Sequence, residues 1–425
     1  MTQITTTPAS SYTRRRNTRG RTRLLSASIV LSLGAALLSA CGMGQAGGTG
    51  GEAHIALVLP ISGPFSRQGN LVKRGAEMAA DEINAAGGLK ALGGAKIVLD
   101  AHDAGGTVET AVSAANRALA RNRPTAGIGA WASSLTLGVT EVAERKRVPW
   151  LTVSFADQIT ARGFTYVYQT SPVSSLSARD GLKGFQEIAA DAGHPVRTVA
   201  LVGDNTAASQ GFLDAVKTKV APALGLKVIT TQQWTPPLRE GSSIANALVK
   251  AKPDAIIYSP ATFSDSSVAL RAFDQFGVDA PIIGNGAALV LPEYLKNLGG
   301  NRVEGLMTVV GGHPGKGTED LVSKFSERTG EPFMTQDALS GYYHVWLIKE
   351  AIEAAKSSDP TAVNNALKRI DLREGPAATM SGGRVRFDES GRRKEATPLI
   401  VQWQDGKPVT VWPADAAVAK PEFAG

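Results

Sequence analysis

The chain has 425 residues, 43% hydrophobic and 20% charged, with a formal net charge of +7. That length allows two domains with sizeable cores, and that composition excludes an intrinsically disordered chain. The charge is local, because Arg14, Arg15, Arg16, Arg19, Arg21 and Arg23 lie within the first 40 residues without an acid, and the remainder balances 39 basic against 38 acidic residues, which excludes a nucleic-acid footprint.

Those arginines precede an apolar run, Leu24 to Ala40, interrupted only by serines and a glycine. A basic segment, an apolar segment and small residues, in that order, predict a secretory signal peptide over residues 1–40. The run is short for a membrane span and no stop-transfer pattern follows. It ends in Leu38-Ser39-Ala40-Cys41, which resembles a bacterial lipobox. Cys41 is the only cysteine, so it has no disulfide partner in the chain. The resemblance implies cleavage before Cys41 and lipidation of its thiol, since two or three acyl chains make a stable anchor; a free thiol in a cleavable signal is the alternative. The arginines are not followed by the apolar residues that twin-arginine export needs. Residues 41–52 read as a glycine-rich tether, about 18 Å long on average.

From His54 onward apolar runs alternate with helical patterns. "HIALVLP" predicts a buried strand. Val72, Ala76, Ala79, Ile83 and Ala86 recur at helical spacing until Gly87-Gly88 stops them. "AKIVLDAHD" is a strand and Thr107 caps the next helix, which runs to about Arg121. "TAGIGA" is a strand, Ser134 to Lys146 a helix and "PWLTVS" a strand. "RTVALVGD", "LKVITTQQW", "DAIIYSP" and "APIIGNG" continue the series. Such alternation predicts parallel sheets with helices on both faces. The strands are too many for one sheet, so two lobes follow, with a seam near Tyr168 to Pro172. From Gly383 to Pro413 the turns "DESG" and "QDGK" predict a small antiparallel meander.

The stretch "GIGAWASSLTLG", Gly127 to Gly138, poses the functional question. It joins the end of a strand to a helix whose cap is Ser133 or Ser134, where backbone N–H groups and the helix dipole favour an anion. Three readings stand. Gly127, Gly129 and Ala132 fit a dinucleotide fingerprint, but in the third βα unit and without an acid at the next strand end, where the first is Asp157. The serines are also good helix caps and nothing more. Or Ser133, Ser134 and the helix N-terminus hold a carboxylate-sized anion, beside another polar strand end at Ser154-Phe155-Ala156.

The residues also carry a family resemblance. "ALVLPISGPFSRQGNLVKRGAEMAADEINAAGG" resembles the opening of the type I periplasmic solute-binding proteins of the leucine/isoleucine/valine and amide/urea group. "VPWLTVSFADQITARGFTYVYQTSP", "TVALVGDNTAASQGF", "PDAIIYSPATFSDSSVALRAFDQFG" and "TQDALSGYYHVWLIKEAI" continue it in order, from about Ala53 to Trp412. The resemblance implies an α/β fold of two Rossmann-like lobes with parallel sheets, joined by three crossing strands. The first lobe would take 53–172 and 310–380, the second 173–309 and 381–414, leaving a tail at 415–425. It further implies a monomer that closes on a small ligand and delivers it to the membrane subunits of an ABC importer. Ser133 and Ser134 would grip the ligand carboxylate, completed by Ser154 and the backbone at Phe155 and Ala156. Gln68 and Phe65 would face the other end. Trp131 either packs on the ligand or is a core aromatic under the loop. The second lobe departs from the amino-acid-binding pattern. Ala208 stands where a tyrosine is common, and Asn285 and Gly286 follow the "APIIG" strand where an acid holds the α-ammonium. An ammonium buried without a carboxylate costs several kcal/mol. An amide or a purely anionic ligand therefore fits better than an amino acid, unless Asp204 or Asp265 takes the role. Thr262 is a further polar contact from that lobe.

Nothing points to an enzyme. The five histidines show no i, i+4 metal pair, no G-x-S-x-G elbow occurs, and "GGHPGKGT" has Gly317 where a P-loop needs Ser or Thr. No cofactor or metal is expected. His102-Asp103 reads as a cleft rim or a loop support. The competing class is a lipoprotein that binds a protein partner or acts as a sensor through a degenerate cleft.

Overall fold

The computed structural model describes residues 51–120, 123–298 and 303–423. The leader, Cys41 and most of the tether lie outside the described residues. The first lobe is built on five strands: β1 (Glu52–Leu59), β2 (Lys96–Asp103), β3 (Ala126–Gly129), β4 (Trp150–Thr152) and β5 (Val167–Gln169). All pair in parallel, in the order β2-β1-β3-β4-β5. The second lobe holds β6 (Thr198–Asp204), β7 (Lys227–Trp234), β8 (Ala255–Ser259), β9 (Ile282–Asn285), β10 (Met307–Val310), β11 (Leu399–Gln404) and β12 (Lys407–Trp412). Their order is β12-β11-β10-β9-β8-β6-β7. Strands β6 to β10 are parallel and β11 and β12 antiparallel.

The inner strands read as continuous apolar runs because helices cover both faces, whereas the edge strands β2 and β7 are partly exposed. Every residue of β3, β4, β8 and β10 is buried. The expected C-terminal meander is a β11–β12 hairpin added to the edge of the second sheet. Asp405 and Gly406 both take positive φ, +51° and +71°, the backbone a type I′ turn needs.

Three segments carry the chain between the lobes, near 170–173, 311–318 and 394–398; among the described residues none is a regular strand. "GGHPGKGT" is the second of them. Three expectations shift. Residues 381–396 lie with the first lobe: Leu372 bridges Val385, Gln169 bridges Arg392, and the Phe387 ring packs edge-on against Tyr168 at 4.8 Å. Glu52, expected at the end of the tether, begins β1. The tail is docked, with Glu422 N–H donating to Gln402 Oε1 at 2.8 Å and the Phe423 ring against His194 and Phe185.

In the first lobe the helix Ser66–Ala85 lies against the helix Gln336–Ala355. The latter is buried on nearly every side, Ser340 and Tyr343 included, so it is a core helix and its N-terminus is delivered into the cleft.

Candidate functional site

The glycines of "GIGAWASS" have a local cause. A Cβ on Gly127 would lie 2.0 Å from the Trp150 ring, and one on Gly129 2.0 Å from Val58 O. The Trp150 indole lies across β3 and donates its Nε1–H to Gly129 O at 2.9 Å. Both glycines make room for that indole and for the neighbouring strand. The dinucleotide fingerprint loses its basis here, because these positions serve packing rather than a pyrophosphate.

After β3 the chain turns through Ala130, Trp131 and Ala132 into the helix Ser133–Lys146. Ala132 is the N-cap and no side chain caps the helix. The expected serine cap is thus corrected: Ser133 is the first helical residue, and its Oγ accepts the Ala156 N–H at 3.2 Å. The turn is braced from below. Thr136 Oγ1 accepts the Ala130 N–H at 3.0 Å, and Ser154 Oγ donates to Trp131 O at 2.6 Å. Trp131 has φ +74°, a conformation that bulky residues adopt only when their surroundings enforce it. The enforcing contacts are visible: its Nε1–H donates to Asp337 Oδ1 at 2.7 Å and its ring lies 5.7 Å from Phe65.

A cavity of about 80 Å³ opens between the lobes at this turn. One water needs roughly 10–15 Å³ on the same measure, so a small organic molecule fits. From the first lobe Phe65, Trp131, Ser133, Ser134, Phe155 and Gln336 line it. From the second come the loops after β6, β8 and β9, with Thr206, Ala208, Ser259, Ala261, Asn285 and Ala287. Among the described residues no charged side chain lines it. The N-termini of the helices Ser133–Lys146, Ala207–Ala215 and Gln336–Ala355 converge on it. Their unpaired N–H groups and dipoles give an uncharged wall a positive potential.

Four residues named from the sequence do not line this cavity. Ser154 is buried under the turn, held by Trp131 O and by the hydroxyls of Thr136 and Thr152. The Ala156 N–H is taken by Ser133 Oγ. Thr262 caps the helix Phe263–Gln275, its Oγ1 accepting the Asp265 N–H at 3.3 Å. Gln68 is buried in the first helix, with no hydrogen-bond partner for its Oε1. The two acids weighed as ammonium partners are also committed elsewhere. Asp204 accepts the N–H and hydroxyl of Thr206 and the N–H of Ala261, tying two cavity loops together; burial pushes its carboxyl up. Asp265 Oδ2 accepts Trp234 Nε1–H at 2.9 Å. Asp103 receives the N–H groups of Ile61 and Ser62 and the Ser62 hydroxyl, so it supports a loop.

Gln336 and Asp337 were not singled out in the sequence. Their signal was faint: Thr335 caps the helix that begins with them, and an acid in a first turn is ordinary. Burial pushes the Asp337 carboxyl up to about 7, against the Trp131 hydrogen bond and the nearby Arg67, which lower it. Its Oδ2 has no partner. An unfolded aspartate titrates near ~3.9. The folded protein therefore holds the extra proton between about pH 4 and 7, and this group's contribution to stability falls as pH rises through that window. His344 has the opposite sign: burial lowers it to about 3, so its contribution falls as pH drops below its unfolded value of about 6.5. We expect Asp337→Asn, which keeps an acceptor for Trp131, to gain stability relative to the parent from pH 4 to 7, by on the order of a few kcal/mol. The gap should then stay constant. Thermal unfolding of both proteins across that range checks this, and a gap independent of pH would refute it.

Residues 52–408 match the family model described as "Periplasmic binding protein". Among curated proteins the chain is 27% identical over 380 residues to Leu/Ile/Val-binding protein homolog 8 of Brucella melitensis, covering 86% of this chain and 92% of that one. Among solved structures it superposes on the leucine binding protein LivK of Thermotoga maritima with a TM-score of 0.72 at 22% identity, covering 84% of this chain and 97% of that one. It superposes equally, at 0.72 and 19% identity, on an ABC transporter solute binding protein from R. palustris in complex with benzoate, covering 88% of this chain and 99% of that one. At these identities the structural likenesses speak for the fold.

Proposed function

The chain belongs to the periplasmic binding protein family, whose members are exported solute-binding proteins of ABC transport rather than enzymes, and from that premise we propose that it captures a small carboxylate with an apolar body. One observation carries the reading. The cavity has three aromatic side chains, Phe65, Trp131 and Phe155, and converging helix N-termini, but among the described residues no charged side chain. The N-termini suit a carboxylate; the aromatic rings suit an apolar or aromatic body. Among the described residues no carboxylate in the lining pairs with an α-ammonium. One structural neighbour holds benzoate, which agrees with this ligand class, while the leucine-binding neighbour marks the competing one.

The ligand docks on the serine turn of the first lobe, and the second lobe closes over it. An ion pair spans the rim. Arg67, at the start of the first-lobe helix, meets Glu293 of the second lobe and makes a forked pair with Glu331 of its own lobe, both N···O distances 2.7 Å. Glu293→Gln should loosen the closed state without touching the ligand. A partly exposed pair contributes about 1 kcal/mol, so ligand affinity should fall roughly fivefold, mostly through faster release. Stopped-flow release kinetics measure this, and an unchanged release rate would remove the pair from the closure.

In this reading residues 1–40 are a signal peptide. The protein works as a monomer, held outside the cytoplasmic membrane by lipid on Cys41 and the tether. Mass spectrometry of the mature N-terminus tests the anchor. The function is tested by thermal unfolding against amino acids, amides, and aliphatic and aromatic acids. A ligand at a hundred times its dissociation constant adds about 2.7 kcal/mol. Stabilisation by acids alone supports the reading and stabilisation by leucine or valine overturns the ligand class. Indifference to every ligand supports the partner-binding alternative.

A further inference from the structure

A second, smaller cavity of about 30 Å³ lies where the three inter-lobe segments meet. It shares Val153 and Gln336 with the ligand cavity. Its wall includes Arg393, only 4% exposed. The guanidinium is held entirely by neutral oxygens. Nε–H donates to Thr170 O at 2.8 Å and Nη1 to Ser381 O at 2.6 Å. Nη1 also reaches Arg384 O and Glu395 O at 3.3 and 3.5 Å. Nη2 has Ser381 Oγ alone, at 3.2 Å, which leaves one N–H unused.

Among the described residues no carboxylate pairs with Arg393. The nearest acid in its field is Glu395, whose side chain pairs with Arg386 and does not line the cavity. Asp388 and Asp157, close in sequence or space, accept backbone N–H groups instead. The other polar groups of the wall are hydroxyls, the Gln336 amide and two histidines, His313 and His344, which burial lowers to about 4 and about 3 and so holds neutral; His344 Nδ1 has no partner. A buried cation without a paired carboxylate is costly, and this one borders open space whose hydroxyls at Thr170, Ser381 and Thr379 are already hydrogen-bonded to Thr152 O, Gly311 O and Pro376 O.

The geometry points to an anion subsite at the hinge that takes a carboxylate, formed by Arg393 and positioned by Ser381, whose Oγ accepts from Nη2 and donates to Gly311 O at 3.3 Å. The volume admits two or three water-sized groups, so a carboxylate fits and a phosphate ester with its substituent does not. The carboxylate is either a free small anion or the second acid group of a ligand seated in the main cavity, entering past Gln336. In the second case the inference rests on the proposed function. In the first it does not. Gln336 stands between the cavities, its Oε1 accepting the Gly311 N–H at 2.6 Å, so occupancy on one side bears on the segment that joins the lobes.

The test uses the whole protein at constant ionic strength. Formate is titrated while thermal unfolding is followed, and crystals are soaked in bromide to locate it by anomalous scattering. In parallel, binding of α,ω-dicarboxylates is compared with that of monocarboxylates of equal length. Formate stabilisation that is lost in Arg393→Met, with bromide within hydrogen-bonding reach of Nη2, establishes the subsite with a free anion. A dicarboxylate binding at least tenfold tighter than its monocarboxylate, an advantage lost in the variant, establishes it as the far end of the ligand. Ser381→Ala reports on both if Arg393→Met does not fold. If formate and bromide leave the hinge untouched and dicarboxylates show no advantage, the subsite is refuted. Monocarboxylates that still bind in that case leave the proposed function standing.

Discussion

Gly341→Ala is expected to destabilise the protein by about 3 kcal/mol or more, although it replaces the second-worst helix former with the best. A Cβ at Gly341 would lie 2.0 Å from Val72 O, and one at Gly75 1.8 Å from Ala338 O. The two helices thus touch backbone to backbone, glycine against carbonyl, in both directions. Relief requires them to part by more than 1 Å, yet the helix Gln336–Ala355 is enclosed and has nowhere to go. The helix-propensity gain of about 1 kcal/mol is smaller than the overpacking term, which reaches about 3 kcal/mol and sometimes more. Separation would also carry Gln336 and Asp337 out of the cavity wall, so ligand binding should weaken together with stability. Gly211→Ala is the control. It also lies within a helix, but its added Cβ would meet Ser174 at 3.6 Å, an ordinary contact, and it should be neutral or stabilising. Denaturant unfolding of both variants decides the matter. A Gly341→Ala protein within 0.5 kcal/mol of the parent would mean that the helices are not locked as described.

Much of this architecture was legible in the sequence because buried parallel strands are written as uninterrupted apolar runs. "HIALVLP" and "DAIIYSP" could not be half-exposed. Strands β5 and β10 were not read as strands, and β5 overlaps the expected seam. The placement of 381–396 failed for another reason. Its turn chemistry was read correctly, but which sheet a β segment joins is decided by long-range pairing, here Gln169 with Arg392 and Phe387 with Tyr168, and local sequence does not encode that. At the site, Phe65, Trp131, Ser133, Ser134 and Phe155 of the first lobe do line the cavity, although serines at a strand end serve equally well as helix caps. Even so, Ser154 and Ala156 proved to be the support beneath the turn, since a hydroxyl looks the same whether it faces a ligand or a carbonyl. The second-lobe wall was nearly silent. Ala207, Ala208, Ala261 and Ala287 have no chemical signature, and they shape the cavity by being small. Asp204 is directed partly by Thr206 nearby and partly by distant Ala261, and Asp265 by distant Trp234.

That silence makes Asn285 the informative position, and Asn285→Asp is expected to reverse the ligand preference. Asn285 lines the cavity and is 7% exposed; its Nδ2 reaches Ser259 Oγ at 3.3 Å, while its Oδ1 has no partner. Aspartate has nearly the same shape, so the change adds charge with little change in packing, and the Ser259 hydroxyl can turn to donate to it. In a wall otherwise free of charged side chains, a new carboxylate faces any anionic ligand across a short, poorly screened distance. Like-charge juxtaposition of this kind costs several kcal/mol. Carboxylates that bind the parent should therefore lose about 30-fold or more in affinity. Amino acids with apolar side chains gain the missing ammonium partner and should move the other way, because a desolvated ammonium is then paired instead of orphaned. The opposing shifts matter more than either alone, since a damaged cavity would weaken both classes. Calorimetric titration of one acid and one amino acid into parent and variant separates these outcomes. If the acid binds both proteins equally, Asn285 does not face the ligand and the second lobe closes in another register. If the amino acid already binds the parent tightly, its ammonium is held by backbone carbonyls, and the uncharged wall has been misjudged as a filter against it.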